Sequence, residues 1–216
     1  MIKRESLKVQ AYNYLKKEII EGNLKAGALY TEMALAEKLN ISRTPIREAV
    51  LQLVHEDYVS IRPNKGFVVR QYSNEEIMEY FQVRKAIEGF CAMESVKEKG
   101  SQKWQDFIEC LESYVSATEN NSISAEEFME YDAKFHIAIV EFEKNLYMTN
   151  VMKDMRGRIH RLGIKSFNAS GRKNDTMTEH RAIVDAIKNG SKMDIYSALE
   201  RHFDESFKAI EKYVEN

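Results

Sequence analysis

Proline is almost missing from this chain: of 216 residues only Pro45 and Pro63 are prolines, and none follows Asn74. Cysteine is scarce too. Cys91 and Cys110 stand alone, without a CxxC or metal-type spacing, which excludes a disulfide framework and a cysteine-based zinc site. They read as reduced thiols packed as small apolar side chains in a cytoplasmic protein. No run of about 18 apolar residues occurs that would span a bilayer, and the opening MIKRESLKVQ lacks the apolar core of a signal peptide. The expectation is a cytoplasmic protein with no membrane partner. A large charge imbalance is missing as well, since the net charge is only −2. That small number hides an asymmetry, because residues 1–74 hold 12 Lys and Arg against 8 Asp and Glu, and the remainder holds 20 against 26. A basic first third with an acidic remainder fits a small nucleic-acid module joined to something else.

What is present is helical periodicity. With 44% apolar and 31% charged residues the chain is expected to fold, and its length suits two ordinary domains. Beyond Asn74, apolar residues recur three and four apart, as in Ile77, Phe81, Ile87 and Cys91, or Phe128, Tyr131, Phe135, Ile139 and Phe142. Small polar clusters at 97–102, 120–124, 142–145, 168–175 and 188–192 divide this region. They predict six helices near 75–98, 102–119, 125–142, 146–167, 176–189 and 193–214.

The first third has a different grammar. A helix from about Ser6 to Glu21 carries Leu7, Ala11, Leu15, Ile19 and Ile20 and stops at Gly22-Asn23. Thr31 is a suitable cap for a second helix, which ends at Asn40, a residue that tolerates the left-handed conformation. Ser42 is expected to cap a third, with Pro45 in its first turn. Two β-prone runs, Tyr58 to Arg62 and Phe67 to Tyr72, flank Pro63-Asn64-Lys65-Gly66 and read as a hairpin. Helix, helix, short turn, helix, hairpin is the order of a winged helix-turn-helix.

In the third helix, Ile46, Ala49, Val50, Leu53 and Val54 form the apolar stripe, so Ser42, Arg43, Thr44 and Arg47 occupy the opposite face near its start. A helix-turn-helix inserts that end into the major groove, where arginine donates two hydrogen bonds to guanine and hydroxyls reach phosphates or bases. Two arginines near a helix start are otherwise merely solvated and oppose the helix dipole, a placement that makes sense if polyanionic DNA arrives there. The stretch TEMALAEKLNISRTPIREAVLQLVHEDYVSIRPNKGFVV resembles the DNA-binding domain of the GntR family of bacterial transcriptional regulators, with SRTPIREAV close to its most specific motif. The resemblance covers roughly residues 5 to 72. It implies a homodimer on a pseudo-palindromic double-stranded DNA operator, with Arg43, Thr44, Arg47 and the wing residue Gly66 near the DNA. Met33 stands where family members commonly carry arginine, so the family's usual operator sequence does not carry over by default, and Asn40 replaces a common glycine.

Among five histidines, His136 lies four residues after Asp132 in YDAKFHIAIVEF, one turn along the same helix face and beside Phe128, Phe135 and Ile139. Asp132 could instead pair with Lys134 or Lys153. His180 and His202 each flank an apolar stripe on the last two helices, so three histidines and one aspartate could converge inside a bundle. Residues 75–216 resemble the FCD domain, the effector-binding domain of the FadR-like branch of the same family, whose metal-binding members carry D-x-x-x-H followed by two later histidines. Asp132, His136, His180 and His202 match that pattern. One oxygen and three nitrogen donors suit Zn²⁺, Ni²⁺ or Mn²⁺, and spacing does not choose among them. Arg84 shares a face with Ile77, Phe81, Glu88 and Cys91. It reads either as an intrahelical partner of Glu88 or as a clamp on an effector carboxylate. His160 reads as structural or exposed, and His55, at the end of the third helix, as structural.

The expectation is therefore a mainly α protein with a winged helix-turn-helix over residues 1–72 and an all-helical effector- and metal-binding domain over 75–216. It would be a DNA-binding transcriptional regulator controlled by a small organic acid bound at the metal and Arg84. The alternatives are a purely structural metal, or a metal-dependent hydrolase, against which stands the lack of a general-base or nucleophile motif.

Overall fold

A computed structural model describes residues 6–119, 123–170 and 172–212, with side chains except those of 156–162, 165 and 167–170. The described residues form two compact units, 6–72 and 73–212. The protein is mainly α, with a winged helix-turn-helix in the first unit and helices throughout the second.

In the first unit, α1 (Leu7–Ile20) starts where the Ser6 hydroxyl accepts the Val9 N–H. Its buried residues Ala11, Leu15 and Ile19 are four apart and form a single stripe. They join a core with Ile46, Ala49, Val50 and Leu53 of α3 (Arg43–His55). Between them, α2 (Glu32–Leu39) is capped by the Thr31 hydroxyl and ends at Asn40, whose φ of 51° is the left-handed cap expected there. Ser42 occupies the N-cap position of α3, but its hydroxyl makes no capping hydrogen bond, contrary to expectation. The reason lies three residues on: a capping hydroxyl accepts from the second or third amide of the helix, and the third residue is Pro45, which has none.

The hairpin pairs β2 (Val59–Arg62) with β3 (Gly66–Val69) antiparallel, from Val59 opposite Val69 to Arg62 opposite Gly66. The strands are thus shorter than expected, and Arg70–Tyr72 lie outside the second. A third strand, β1 (Leu29–Tyr30), was not expected; it pairs with the other edge of β3, giving the order β1-β3-β2. Gly66 sits at φ 125°, and a Cβ there would run into the Tyr30 carbonyl oxygen. Only glycine lets the wing and β1 approach this closely.

The second unit comprises α4 (Asn74–Ser95), α5 (Gln102–Thr118), α6 (Ala125–Glu141), α7 (Leu146–Ser170), α8 (Lys173–Asn189) and α9 (Lys192–Glu211). Ser73, Ser124 and Ser191 start α4, α6 and α9 through reciprocal capping boxes with Glu76, Glu127 and Asp194. The last turn of the helix expected over 75–98 tightens into a 3-10 segment, Val96–Glu98, before Gly100 at φ 89°. The break expected over 168–175 is shorter: α7 runs to Ser170 and α8 starts at Lys173, leaving Arg172 and residue 171, which lies outside the described residues. So do 120–122 of the break expected over 120–124, and 213–216 at the end of the last expected helix. Helix α9 packs on α4 and α8, while α6 packs on α5 and α7, so α4, α6, α8 and α9 enclose one interior.

Candidate functional site

The first candidate surface is the start of α3. Burial of Ile46, Ala49 and Val50 turns Ser42, Arg43, Thr44 and Arg47 outward, and all four are exposed. Arg43 lies 3.5 Å from Glu32 of α2, a solvent-exposed pair too weak to immobilise it. Met33 is 57% exposed on α2, an apolar side chain on this surface. Arg62 and Lys65 are exposed on either side of the wing turn, two cations that pattern reading of the hairpin did not single out. His55, expected to be structural, is instead exposed in the last turn of α3.

The second candidate is inside the helical unit. Asp132 and His136 of α6, His180 of α8 and His202 of α9 offer four ligand atoms all within 4.8 Å of one another. All three histidines are at most 2% exposed. Asp132 Oδ1 lies 3.4 Å from His180 Nε2 and 3.8 Å from His136 Nε2. The two lysines offered as its surface partners are engaged elsewhere, Lys153 with Glu141 and Lys134 over the Tyr131 ring.

Two further carboxylates stand behind the imidazoles. His136 Nδ1 is 2.6 Å from Glu88, whose other oxygen accepts from Arg84 Nε at 2.7 Å. His202 Nδ1 is 2.8 Å from Glu179, and Arg172 donates to both oxygens of Glu179 at 2.7 Å. Glu88 read only as a partner of Arg84, and Glu179 and Arg172 carried no signal at all; His202 is 23 residues from Glu179, so no helical spacing joins them. Burial would raise the Glu179 pKa, but the hydrogen bonds from His202 and Arg172 outweigh it and the net shift is downward. Burial raises that of Glu88 against the pull of Arg84, and the Arg84 pKa, which burial alone would lower, is raised by Glu88, Tyr80 and Asp132 together. An ionised Glu88 satisfies Arg84 and His136 together.

This wiring assigns the tautomers. With their Nδ1–H groups donated to Glu88 and Glu179, His136 and His202 turn unprotonated Nε2 atoms toward each other at 3.1 Å. Two lone pairs at that distance repel. A shared proton would make one ring an imidazolium, and burial first, then Arg84, disfavours that charge on His136, whose pKa is held well below the ordinary value. The His180 pKa is likewise far down, through burial and then His202 and His136. His180 Nε2, fully buried, has no hydrogen-bond partner among the described residues. Converging lone pairs, an orphaned nitrogen and one carboxylate are a donor set suited to a divalent cation. The residues present fit such an ion.

A cavity adjoins the cluster. Arg84, Asp132, His136, Ser166, Arg172 and His202 contribute its polar lining, and Phe81, Phe128, Met129, Ile137, Met152 and Ile210 its apolar lining. His180 is not among the lining residues; it stacks on Phe135 with ring centroids 4.2 Å apart. Arg84 is 6% exposed and points inward, with the Phe203 ring 4.7 Å from its guanidinium carbon. Its pair with Glu88 is formed through Nε, and the side chain is among those that line the cavity. His160 falls among the side chains outside the described ones.

Comparison with known proteins agrees with both halves. Residues 7–69 match the bacterial regulatory proteins of the gntR family, and residues 79–205 match the FCD domain. The chain is 26% identical over 210 residues to the HTH-type transcriptional regulator YdhC of Bacillus subtilis, covering 96% of this chain and 92% of YdhC. Its fold is that of Escherichia coli McbR, with a TM-score of 0.68 at 22% identity, covering 98% of this chain and all of that one. A metal-free FCD domain structure aligns with a TM-score of 0.53 at 18% identity, over 65% of this chain and 95% of its own.

Proposed function

The chain belongs to the GntR family of bacterial transcriptional regulators and carries an FCD domain, and from that premise we propose that it is a metal-dependent, acid-responsive regulator. DNA binding is the common property of that family. Its finer assignment here gives operator reading to residues 1–72, through Ser42, Arg43, Thr44, Arg47 and the wing at Gly66. Residues 75–216 carry the sensing. Asp132, His136, His180 and His202 would hold Zn²⁺, Ni²⁺ or Mn²⁺, and a small organic acid would place its carboxylate at that ion and at Arg84. When bound, the ion supplies a Lewis-acidic position that accepts a ligand oxygen.

The observation that carries this reading is the pair of His136 and His202 Nε2 atoms, aimed at each other at 3.1 Å with their other nitrogens bound to carboxylates. Arg84 offers a planar fork suited to a carboxylate, and apolar side chains line much of the cavity beside it. The protein would work in the cytoplasm as a homodimer on a two-fold operator. An acid that bridges α4, α6 and α9 would favour one helix arrangement over another, and only that preference lets it shift operator affinity.

Elemental mass spectrometry of untagged protein, beside an Asp132→Ala/His180→Ala variant, tests the metal. Near-stoichiometric metal in the parent and little in the variant is the expected result. A parent that neither carries nor takes up Zn²⁺, Ni²⁺ or Mn²⁺ overturns it. If metal is present but no carboxylic acid that binds it alters operator affinity, the ion is structural and the sensing step fails.

A further inference from the structure

We propose that Glu88 and Glu179 are positioning residues for the metal centre, each fixing one imidazole in the tautomer and orientation that presents Nε2, and that Arg84 and Arg172 hold the two carboxylates in place. The inference rests on the reading of Asp132, His136, His180 and His202 as metal ligands. It concerns four residues outside that set.

Two chains of contacts run in parallel through the interior. In one, Arg84 Nε donates to Glu88 Oε1 and Glu88 Oε2 meets His136 Nδ1, at 2.7 and 2.6 Å. In the other, both terminal nitrogens of Arg172 reach Glu179 at 2.7 Å, and Glu179 Oε2 meets His202 Nδ1 at 2.8 Å. Each carboxylate is anchored on one oxygen or both by a guanidinium, so its position does not depend on the ring it orients. Glu88 is fully buried, and the Glu179 side chain is 10% exposed. Charged groups placed this deep are costly unless every one has a partner, and here each partner leads to a metal-ligating ring.

The arrangement is selective. His180 has no carboxylate behind it among the described contacts, and its ring is set by the parallel stack on Phe135, an 11° interplanar angle at 4.2 Å. The two rings with carboxylates are the two that line the cavity, and the stacked ring does not line it. Orientation by charge is therefore applied where an incoming ligand would otherwise pull a ring away. Both guanidiniums line the same cavity, so the contacts that aim the imidazoles also border the space an effector would fill. A carboxylate behind a ligating imidazole fixes the tautomer and raises donor strength, and its loss typically weakens metal binding by about 10- to 100-fold.

The test is a competition titration of chelator-stripped full-length protein with Co²⁺, following both affinity and the visible absorption of the bound ion. Glu179→Gln keeps the shape and loses the charge, and it is expected to weaken Co²⁺ binding about 10- to 100-fold while the saturated spectrum keeps the parent's form, since no ligand is lost. Glu112→Gln, on an exposed surface pair, is the control and should bind as the parent does. The decisive measurement is the cycle with His202→Ala: if Glu179 acts through His202, Glu179→Gln makes no further difference in that background. A merely structural role would lower the melting temperature and leave the affinity ratio the same in both backgrounds. Glu88→Gln and its cycle with His136→Ala repeat the test on the other chain of contacts, and serve alone if Glu179→Gln does not fold. Affinity within twofold of the parent in the folded variants overturns the positioning role. A parent that binds no Co²⁺ overturns the metal reading itself, which the same titration shows before any variant is compared.

Discussion

At the scale of single residues, the proposed DNA reading rests on Arg47 and Arg43, and the expected loss of stability on acidification on the buried histidines. Replacing an arginine that donates to a guanine should cost about 1 to 3 kcal/mol of operator affinity and relax sequence preference at one base pair. Arg47→Ala is expected to behave this way, because the side chain is exposed, no hydrogen bond or ion pair holds it among the described residues, and the buried side of α3 is untouched by the change. Anisotropy titrations over a range of salt separate this from a phosphate contact, which would weaken all sequences alike and flatten the salt slope. For the histidines the sign follows from burial. His136 and His180 have folded pKa values below that of an unfolded histidine, so unfolding takes up protons once the pH drops under about 6.5. Stability conferred by the neutral rings is then lost progressively down to the folded values. Glu88, raised by burial, acts in the opposite direction, but it is one group against two. Metal-stripped protein should therefore melt at a lower temperature at pH 5.5 than at pH 7.5; a melting point that holds or rises on acidification would show that these rings are not buried neutral.

At the scale of elements, the junction of wing and β1 turns on one glycine. Gly66→Ala combines a positive φ with a collision against the Tyr30 backbone, so it should destabilise the first unit by more than about 1 kcal/mol and weaken operator binding with it. Circular dichroism melts of the variant check the first part, and unchanged stability would mean that β1 does not pair with the wing. Gly66 also shows what the sequence makes legible. Its place in a turn after Pro63-Asn64-Lys65 was readable from turn chemistry, but its proximity to Tyr30 was not, because a two-residue strand has no period to detect. The long helices were readable because Ile77 and Phe81, or Phe128, Phe135 and Ile139, repeat at helical spacing and are buried as that spacing requires. The convergence of Asp132 with His136, His180 and His202 was legible through a motif. Glu179 was not, since its partner lies on another helix and a carboxylate on α8 looks like any solvated charge until the packing of α8 against α9 is known. The missing Ser42 cap is a local case: the expectation weighed the hydroxyl and overlooked that Pro45 removes one of the amides it would bind.

At the scale of the whole molecule, the two units are expected to answer metal differently. An ion held by α6, α8 and α9 binds the folded second unit and not its unfolded chain, so it adds about 2.7 kcal/mol at a free concentration one hundred times its dissociation constant. The first unit contains no such cluster among its described residues. Calorimetric scans with chelator and then with excess Zn²⁺ should therefore move one transition upward and leave the other in place. A shift of both together would show that the units unfold as one.

The three-stranded sheet has a consequence for how DNA is met. Strand β3 is hydrogen-bonded on both sides, to β2 within the hairpin and to β1 just ahead of α2. A hairpin fastened only by its own turn would be free to sway, and docking would have to still that motion at an entropic cost. Fastened at both edges, the wing would give up little freedom on contact, so in the proposed complex its cations and the start of α3 would meet the DNA as parts of one stiff reading head.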